Sequence, residues 1–422
     1  MEHYAGIDVS LESASLCVVD ATGRIVREAE VASEPEVLIG WFSGLGCVVA
    51  RIGLEAGPLS QWLYAGMRDA GLPVELLETR HVRDAFKAMP VKTDRKDARG
   101  IAQLMRLGWF RPVHCKSLPA QEVRALLAAR KLLQSKNHDV EMSLRGVLRG
   151  FGLKVGPTTP RTFANRIREL VAGHATLSTI AEALLAARGT LFEQGQKLEK
   201  RLGSLAREDR RVRLLMTAPG VGPIVGLTYA AAIADPGRFR SSKAVGAHFG
   251  LTPKKYQSGE TDVTGRISKI GDGGVRTALY EAANVILTRP VKGSTLKSWG
   301  MRLAARAGMR KAKVAVARKL AVGLHRMLAN GTTFLADKAA SAAARQQKEI
   351  PGSGGSRRRP PGARSRRRDD GPGQADVISA GLRYCAFLEW PTCSSSDPIR
   401  WRPSADPGQK RDPGDRIKAQ RD

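Results

Sequence analysis

Four carboxylates stand out by their place in the chain. Asp8 lies in the short apolar run Tyr4–Val9, and Glu55 ends the apolar run Cys47–Leu54. Asp94 and Asp97 open a stretch with helical character that reaches Leu107. Their i, i+3 spacing puts both on one helical face. Carboxylates from two strand ends and one helix start can converge at a sheet edge and hold two Mg²⁺ ions. Such a site serves phosphoryl transfer, because the ions bind both the attacking and the leaving oxygen. Lys87, Lys92, Arg95, Lys96 and Arg99 surround the helix start and suit a nucleic-acid strand crossing it. The plainer reading of Asp94 is a helix cap.

The elements that must position these groups are legible in outline. Residues 4–9, 14–19 and 24–31 read as three strands in a meander, with a turn at Asp20–Gly23. Glu34–Gly44 reads as a helix and Cys47–Leu54 as a buried strand. Leu59–Ala70 reads as a helix closed by Gly71, and Pro73–Leu77 as a further strand. A meander followed by alternating helices and strands predicts a mixed α/β sheet rather than a purely parallel one.

From Ala120 onward strand signals stop. Leucine recurs every seven residues at Leu170, Leu177, Leu184, Leu191, Leu198 and Leu205. This reads either as a coiled-coil seam on a dimerising arm or as a helix lying on its own domain. Arg213–Phe334 is a second compact region rich in Ala, Leu, Val and Gly. Its Pro219-Gly220-Val221-Gly222-Pro223 marks a turn or resembles a phosphate-holding helix-hairpin-helix. Lys311–Arg326 reads as a basic amphipathic helix, either on a phosphate backbone or with a solvated outer face. Pro351–Gln374, with triple-arginine runs at 357–359 and 366–368, reads as disordered.

The chain has 422 residues and a net charge of +29. Residues 351–422 hold 15 Lys or Arg and 9 Asp or Glu, so +23 belongs to the first 350 residues. That excess points to a polyanion as partner. Hydrophobic residues make up 42%, which excludes wholesale disorder. No apolar run approaches the ~20 residues of a membrane span, and the N-terminus lacks a signal-peptide pattern. The cysteines at 17, 47, 115, 385 and 393 form no CxxC pair, which argues against a zinc site or a disulfide framework and for a reducing cytosol.

Gly6-Ile7-Asp8-Val9-Ser10, Leu54-Glu55-Ala56-Gly57 and Lys92-Thr93-Asp94-Arg95-Lys96-Asp97-Ala98-Arg99 resemble the three motifs of the DEDD insertion-sequence transposases. These are relatives of the Piv-type DNA invertases, with an N-terminal domain similar to the RuvC resolvase. The likeness continues through Pro219-Gly220-Val221-Gly222, Phe249–Pro253, Tyr256-Gln257-Ser258-Gly259, Ser268–Gly271 and Arg276–Leu279, and covers about residues 4–335.

The resemblance implies an RNase H-like fold in which Asp8, Glu55, Asp94 and Asp97 bind Mg²⁺ or Mn²⁺, and a serine nucleophile at Ser258. It also implies donor and target DNA, a guiding noncoding bridge RNA, and assembly into dimers or tetramers at the prokaryotic nucleoid. Independently of it, Gly259 lets backbone approach a phosphate, and Lys254, Lys255, Arg266 and Lys269 can neutralise charge there. Ser-Gly is also a common turn pair, and Ser268 is the local rival.

The expected organisation is α/β plus α. Residues 1–115 form the RuvC-like domain, 116–212 a helical coiled-coil region, 213–340 a mostly helical domain with the serine, and 341–422 a disordered tail. The function expected is excision and insertion of a mobile DNA element. Competing readings are a RuvC-like nuclease using metal-activated water, an ATP-binding protein of the actin and sugar-kinase class, and a non-catalytic basic nucleic-acid-binding protein. The second lacks a convincing Asp-x-Gly phosphate loop.

Overall fold

The structure is a computed structural model and describes residues 2–87, 91–290 and 294–334. The described residues form one compact unit. The expected tail at 341–422 lies outside the described residues. Among the described residues no helix is long and apolar enough to cross a membrane.

The first part is a five-stranded sheet with helices on both faces. In chain order it contains β1 (His3–Val9), β2 (Ser13–Val19), β3 (Ile25–Ala32), α1 (Pro35–Ser43), β4 (Val49–Glu55), α2 (Ser60–Asp69), β5 (Val74–Leu77), α3 (Thr79–Phe86) and α4 (Asp94–Leu107). The strands lie in the order β3-β2-β1-β4-β5. β1, β2 and β3 are antiparallel neighbours, while β4 runs parallel to β1 and β5 parallel to β4. This is the mixed sheet that the meander predicts.

Alternation along the strands divides the core in two. Ala5, Ile7, Leu16, Val18, Ile52 and Leu54 face α1 and α2, where Leu38, Phe42, Leu63 and Met67 bury their side chains. Tyr4, Cys17, Val19 and Leu77 point to the other face, against Ala98, Ile101, Ala102 and Met105 of α4. On that face Gly6 of β1 pairs with Gly53 of β4. A Cβ on Gly6 would stand 2.2 Å from the Ala98 carbonyl oxygen, and one on Gly53 would stand 2.7 Å from Ile101 and Met105. The two glycines form a trough into which α4 sinks. Two residues further along each strand, on the same face, come Asp8 and Glu55.

Two long helices follow, α5 (Leu118–Gly150) and α7 (Ala175–Glu208), with the short α6 (Phe163–Val171) between them. Arg130 pairs with Glu199 at 2.6 Å and Arg188 with Glu141 at 2.7 Å, so the long helices run antiparallel. The leucine series does not lie on one helix: Leu170 belongs to α6, and left-handed Gly173 intervenes. On α7 the fully buried positions are Leu177, Ala181, Leu185, Arg188, Leu202 and Ala206. Leu177, Ala181 and Leu185 share a cluster with Leu144 and Leu148 of α5.

The last part comprises α8 (Arg210–Leu215), α9 (Pro223–Ile233), α10 (Ala244–His248), α11 (Gly273–Thr288), α12 (Thr295–Ala307) and α13 (Met309–Asn330) around one core. The 219–223 turn joins α8 to α9 and is tucked against α11. Gly220 has φ +76°, and a Cβ there would lie 2.6 Å from the Ala282 carbonyl oxygen. Contrary to the expectation that strands end at Ala120, a hairpin of β6 (Pro253–Ser258) and β7 (Thr261–Ile267) precedes α11. Both its strands are exposed on both faces except at Ile267. With neither face buried, nothing imposes the alternation by which strands are recognised.

Candidate active site

Packing of α4 into the glycine trough carries its first turn over the carboxyl ends of β1 and β4. The helix starts where it does because Thr93 caps it: its Oγ1 accepts from the Lys96 amide at 3.2 Å. Asp94 and Asp97 sit in that first turn, where the helix dipole favours negative charge. Ser10, just past β1, donates its hydroxyl to Asp94 at 3.3 Å. Asp97 is buried, 6% exposed, and Lys92 places its ammonium 3.5 Å from the Asp97 carboxylate.

The electrostatics tie the four carboxylates together. Burial, and then the charges of Asp97 and Asp94, push the Asp8 carboxyl up from its ordinary 3.8 to about 6. Burial, and then Asp8, raise Glu55 as well. Lys92 pulls both back down. Asp8, Glu55, Asp94 and Asp97 therefore share one sheet end. The cation that offsets this charge is the exposed Lys92.

Among the described residues no group of three or more acidic, histidine or cysteine side chains is drawn tightly enough to clasp an ion as it stands. The donor set nevertheless fits a hard dication. It is all oxygen, its members repel one another, and a cation from Lys92 already offsets part of that repulsion.

Glu28 is a member of this region that the sequence did not reveal. It stands on β3 opposite Cys17, on the α4 face, and is 12% exposed. Arg95 donates to it through Nε at 2.9 Å and Nη2 at 2.5 Å. Arg99 donates through Nε and, at 2.8 Å, through Nη2. The two guanidinium groups hold Glu28 down at about 2, well below the usual carboxylate range. Arg95 and Arg99, expected to meet nucleic acid, are thus engaged in fastening α4 to the sheet. Lys96 is exposed.

Ser258 stands at the end of β6, exposed, paired with Thr261 across the Gly259–Glu260 turn. Gly259 has φ +55°. None of the charges that shift Asp8 or Glu55 comes from residues 253–269. The structure gathers the four carboxylates, and among the described residues no hydrogen bond joins Ser258 to any of them. Lys255 pairs with Asp262 at 3.2 Å, whereas Lys254 and Arg266 have no ion-pair partner among the described residues. Lys269 adopts φ +56° beside the base of the hairpin. There Arg276 Nη1 donates to the carbonyls of Phe249, Ile270 and Gly271 at 2.9–3.2 Å. Ser268 lies within hydrogen-bond reach of the Ile270 amide at 3.5 Å.

Residues 5–152 match the DEDD_Tnp_IS110 family of transposases, and residues 212–297 match the family described as "Transposase IS116/IS110/IS902 family". Among curated relatives, a transposase for insertion sequence element IS1111A from Coxiella burnetii is 29% identical over 78% of this chain and 90% of its own length. A probable family 20 transposase from Pseudomonas aeruginosa is 28% identical over 57% of this chain and 71% of its own. Among solved structures, Thermus thermophilus RuvC in complex with a Holliday junction substrate aligns with 27% of this chain and all of its own. The identity is 16% and the TM-score 0.21. Both parts of the chain, joined by the helical pair, match one kind of enzyme in the order its motifs predict. The chain belongs to the IS116/IS110/IS902 family of transposases, enzymes that cleave DNA and transfer its strands.

Proposed function

We propose that this transposase excises and inserts its element with Asp8, Glu55, Asp94 and Asp97 as a divalent-metal site and Ser258 as the nucleophile. The observation that carries the first half is the raised Asp8 and Glu55 at one sheet end, a cluster of like charges that a dication would relieve. Bound there, Mg²⁺ or Mn²⁺ supplies charge neutralisation at the oxygens of a phosphodiester.

Ser258 Oγ gives up its hydroxyl proton and attacks phosphorus, the P–O bond to the leaving strand breaks, and that strand takes up a proton and departs as a hydroxyl, so that no net proton is gained or lost. The phosphoserine ester keeps the bond energy, so a second strand's hydroxyl can displace the serine without ATP. The exposed hairpin supports this role, since it presents Ser258 and the cations of Lys254 and Arg266 outward to a strand.

Ser258→Ala is expected to abolish both recombination and the covalent protein–DNA adduct; an adduct that survives refutes the assignment. The rival is hydrolysis by water at the carboxylates, favoured by the lack of any hydrogen bond between Ser258 and the four of them among the described residues. Cut strands that never carry protein would establish it.

The finer reading also includes guidance by a structured bridge RNA, assembly into dimers or tetramers through the α5–α7 arm, and work at the nucleoid. It rests on the motif resemblance. Co-purification of an element-encoded RNA tests the guide, and light scattering tests the assembly.

A further inference from the structure

The last two helices carry a basic surface that the proposed reaction does not use. Between residues 282 and 336 there are eleven Lys or Arg and no Asp or Glu. These cations fall on α12, α13 and their flanks. Arg302 and Arg306 stand exposed one turn apart on α12. Gly308, at φ +84°, turns the chain into α13, and exposed Arg310 and Lys311 follow at once. Among the described residues none of these four has an ion-pair or side-chain hydrogen-bond partner.

The placement is costly for the fold. Like charges at i, i+4 destabilise a helix, and no acid on either helix offsets them. The inner faces are meanwhile fully committed. Ala312, Val316, Ala317, Leu320, Ala321 and Leu324 of α13 are buried in the core. A Cβ on Gly300 of α12 would stand 2.7 Å from both Leu287 of α11 and Val316 of α13. The cations therefore project from a corner whose backbone is held tightly by packing. A ligand meeting it finds the backbone that carries these charges already ordered, so only the side chains remain to be ordered on binding.

The nature of the ligand follows from what the corner lacks. Exposed aromatic side chains elsewhere include Trp62, Trp109 and Tyr256, but none lies on α12 or α13. Trp299 is only half-exposed, with Lys319 Nζ 3.7 Å from its ring centroid. Single strands are held by stacking on exposed rings, duplexes by phosphate contacts along the backbone. Arg302 and Arg306 are about 6 Å apart along the helix axis, a spacing that lets neighbouring phosphates each take one guanidinium.

We propose that the α12–α13 corner, through Arg302, Arg306 and Arg310, is a sequence-independent docking surface for the phosphate backbone of duplex DNA. It holds the duplex without cutting it and does not depend on the roles of the carboxylates or of Ser258.

The test is the salt dependence of binding of the full chain to a short duplex DNA without element sequence, read by fluorescence anisotropy. Each phosphate contact contributes about −0.9 to the slope of log K against log [salt]. Replacing Arg302, Arg306 and Arg310 together by Gln is expected to flatten the slope by about 2–3 between about 50 and 200 mM salt. The triple Lys variant is expected to keep it. Arg166→Gln with Arg168→Gln, arginines already paired with Glu169 and Glu182, is expected to leave it unchanged. Circular dichroism confirms that each variant is folded, and the Lys variant serves as the folded reference. An unchanged slope in the Gln variant overturns the proposal. So does an equal loss in the Arg166/Arg168 variant, or a loss seen with duplex RNA and not with duplex DNA.

Discussion

Asp8→Asn should make the metal-free protein more stable and the enzyme inactive. The folded state holds the Asp8 proton up to about 6, against an ordinary value of 3.8. At ~1.4 kcal/mol per pH unit this displacement corresponds to about 3 kcal/mol. Asp8 is partly open to water, which screens its neighbours, so the usable figure is about 1–2 kcal/mol. The sign follows from which state holds the proton. Between 3.8 and about 6 the folded chain keeps a proton the unfolded chain has released, so wild type loses stability as pH rises through that window and stays at the lower level above it. Asn cannot ionise and avoids the loss. In urea denaturation of the full chain with chelator, Asp8→Asn is expected to gain about 1–2 kcal/mol at neutral pH and roughly a third of that near pH 4.5. Added Mg²⁺ should reverse the order. Wild type gains about 2.7 kcal/mol at a hundredfold excess over Kd, while the variant gains much less. A variant less stable than wild type at neutral pH without metal would refute the reasoning, because it would mean that neither burial nor the neighbouring aspartates disfavour the ionised Asp8.

Two other perturbations probe how the site is held. Gly6→Ala puts a methyl 2.2 Å from the Ala98 oxygen and 2.4 Å from the Ala102 nitrogen, where ordinary contact begins at 3.4 Å. α4 must then lift by about 1 Å, costing about 1–3 kcal/mol and on the order of 100-fold in strand cleavage if the proposed site is right; an unchanged melting temperature would count against the trough. Glu28→Gln should cost about 1–2 kcal/mol, after discounting for the exposure of Arg95 and Arg99. Because Glu28 titrates at about 2 rather than its ordinary 4.5, its contribution is complete above pH 4.5 and lost as pH falls toward 2. The variant's acid-denaturation curve should be flatter than wild type's in that window, and curves that stay parallel would exclude the clamp.

The clustering of the four carboxylates is largely readable because each part announces itself locally. β1 and β4 are short apolar runs with an acid at their last or last-but-one residue, and Thr93 followed by two aspartates is a helix start. What joins the parts is not local. Gly6 and Gly53 look like ordinary strand glycines until register pairs them under α4. Glu28 lies about seventy residues from Arg95 and Arg99, and no spacing rule links them. The β6–β7 hairpin escaped notice because Lys254–Ser258 and Thr261–Arg266 bury neither face, so no period of two is written into them. The leucine series runs from Leu177 to Leu205 along α7, but its first member, Leu170, stands on α6 beyond the break at Gly173, which the spacing alone does not show.

The antiparallel pairing of α5 and α7 has a geometric corollary. Arg130 meets Glu199 and Glu141 meets Arg188, so Leu118, where the chain leaves the carboxylate sheet, and Glu208, where it enters the last helices, lie at the same end of a rod about 50 Å long. The rod is a detour that returns to its origin. Removing two turns from each helix at matched positions would shorten its reach by about 11 Å and leave both ends where they are. The distance this transposase spans can therefore change over evolution, or by design, independently of how its two working parts are set against each other.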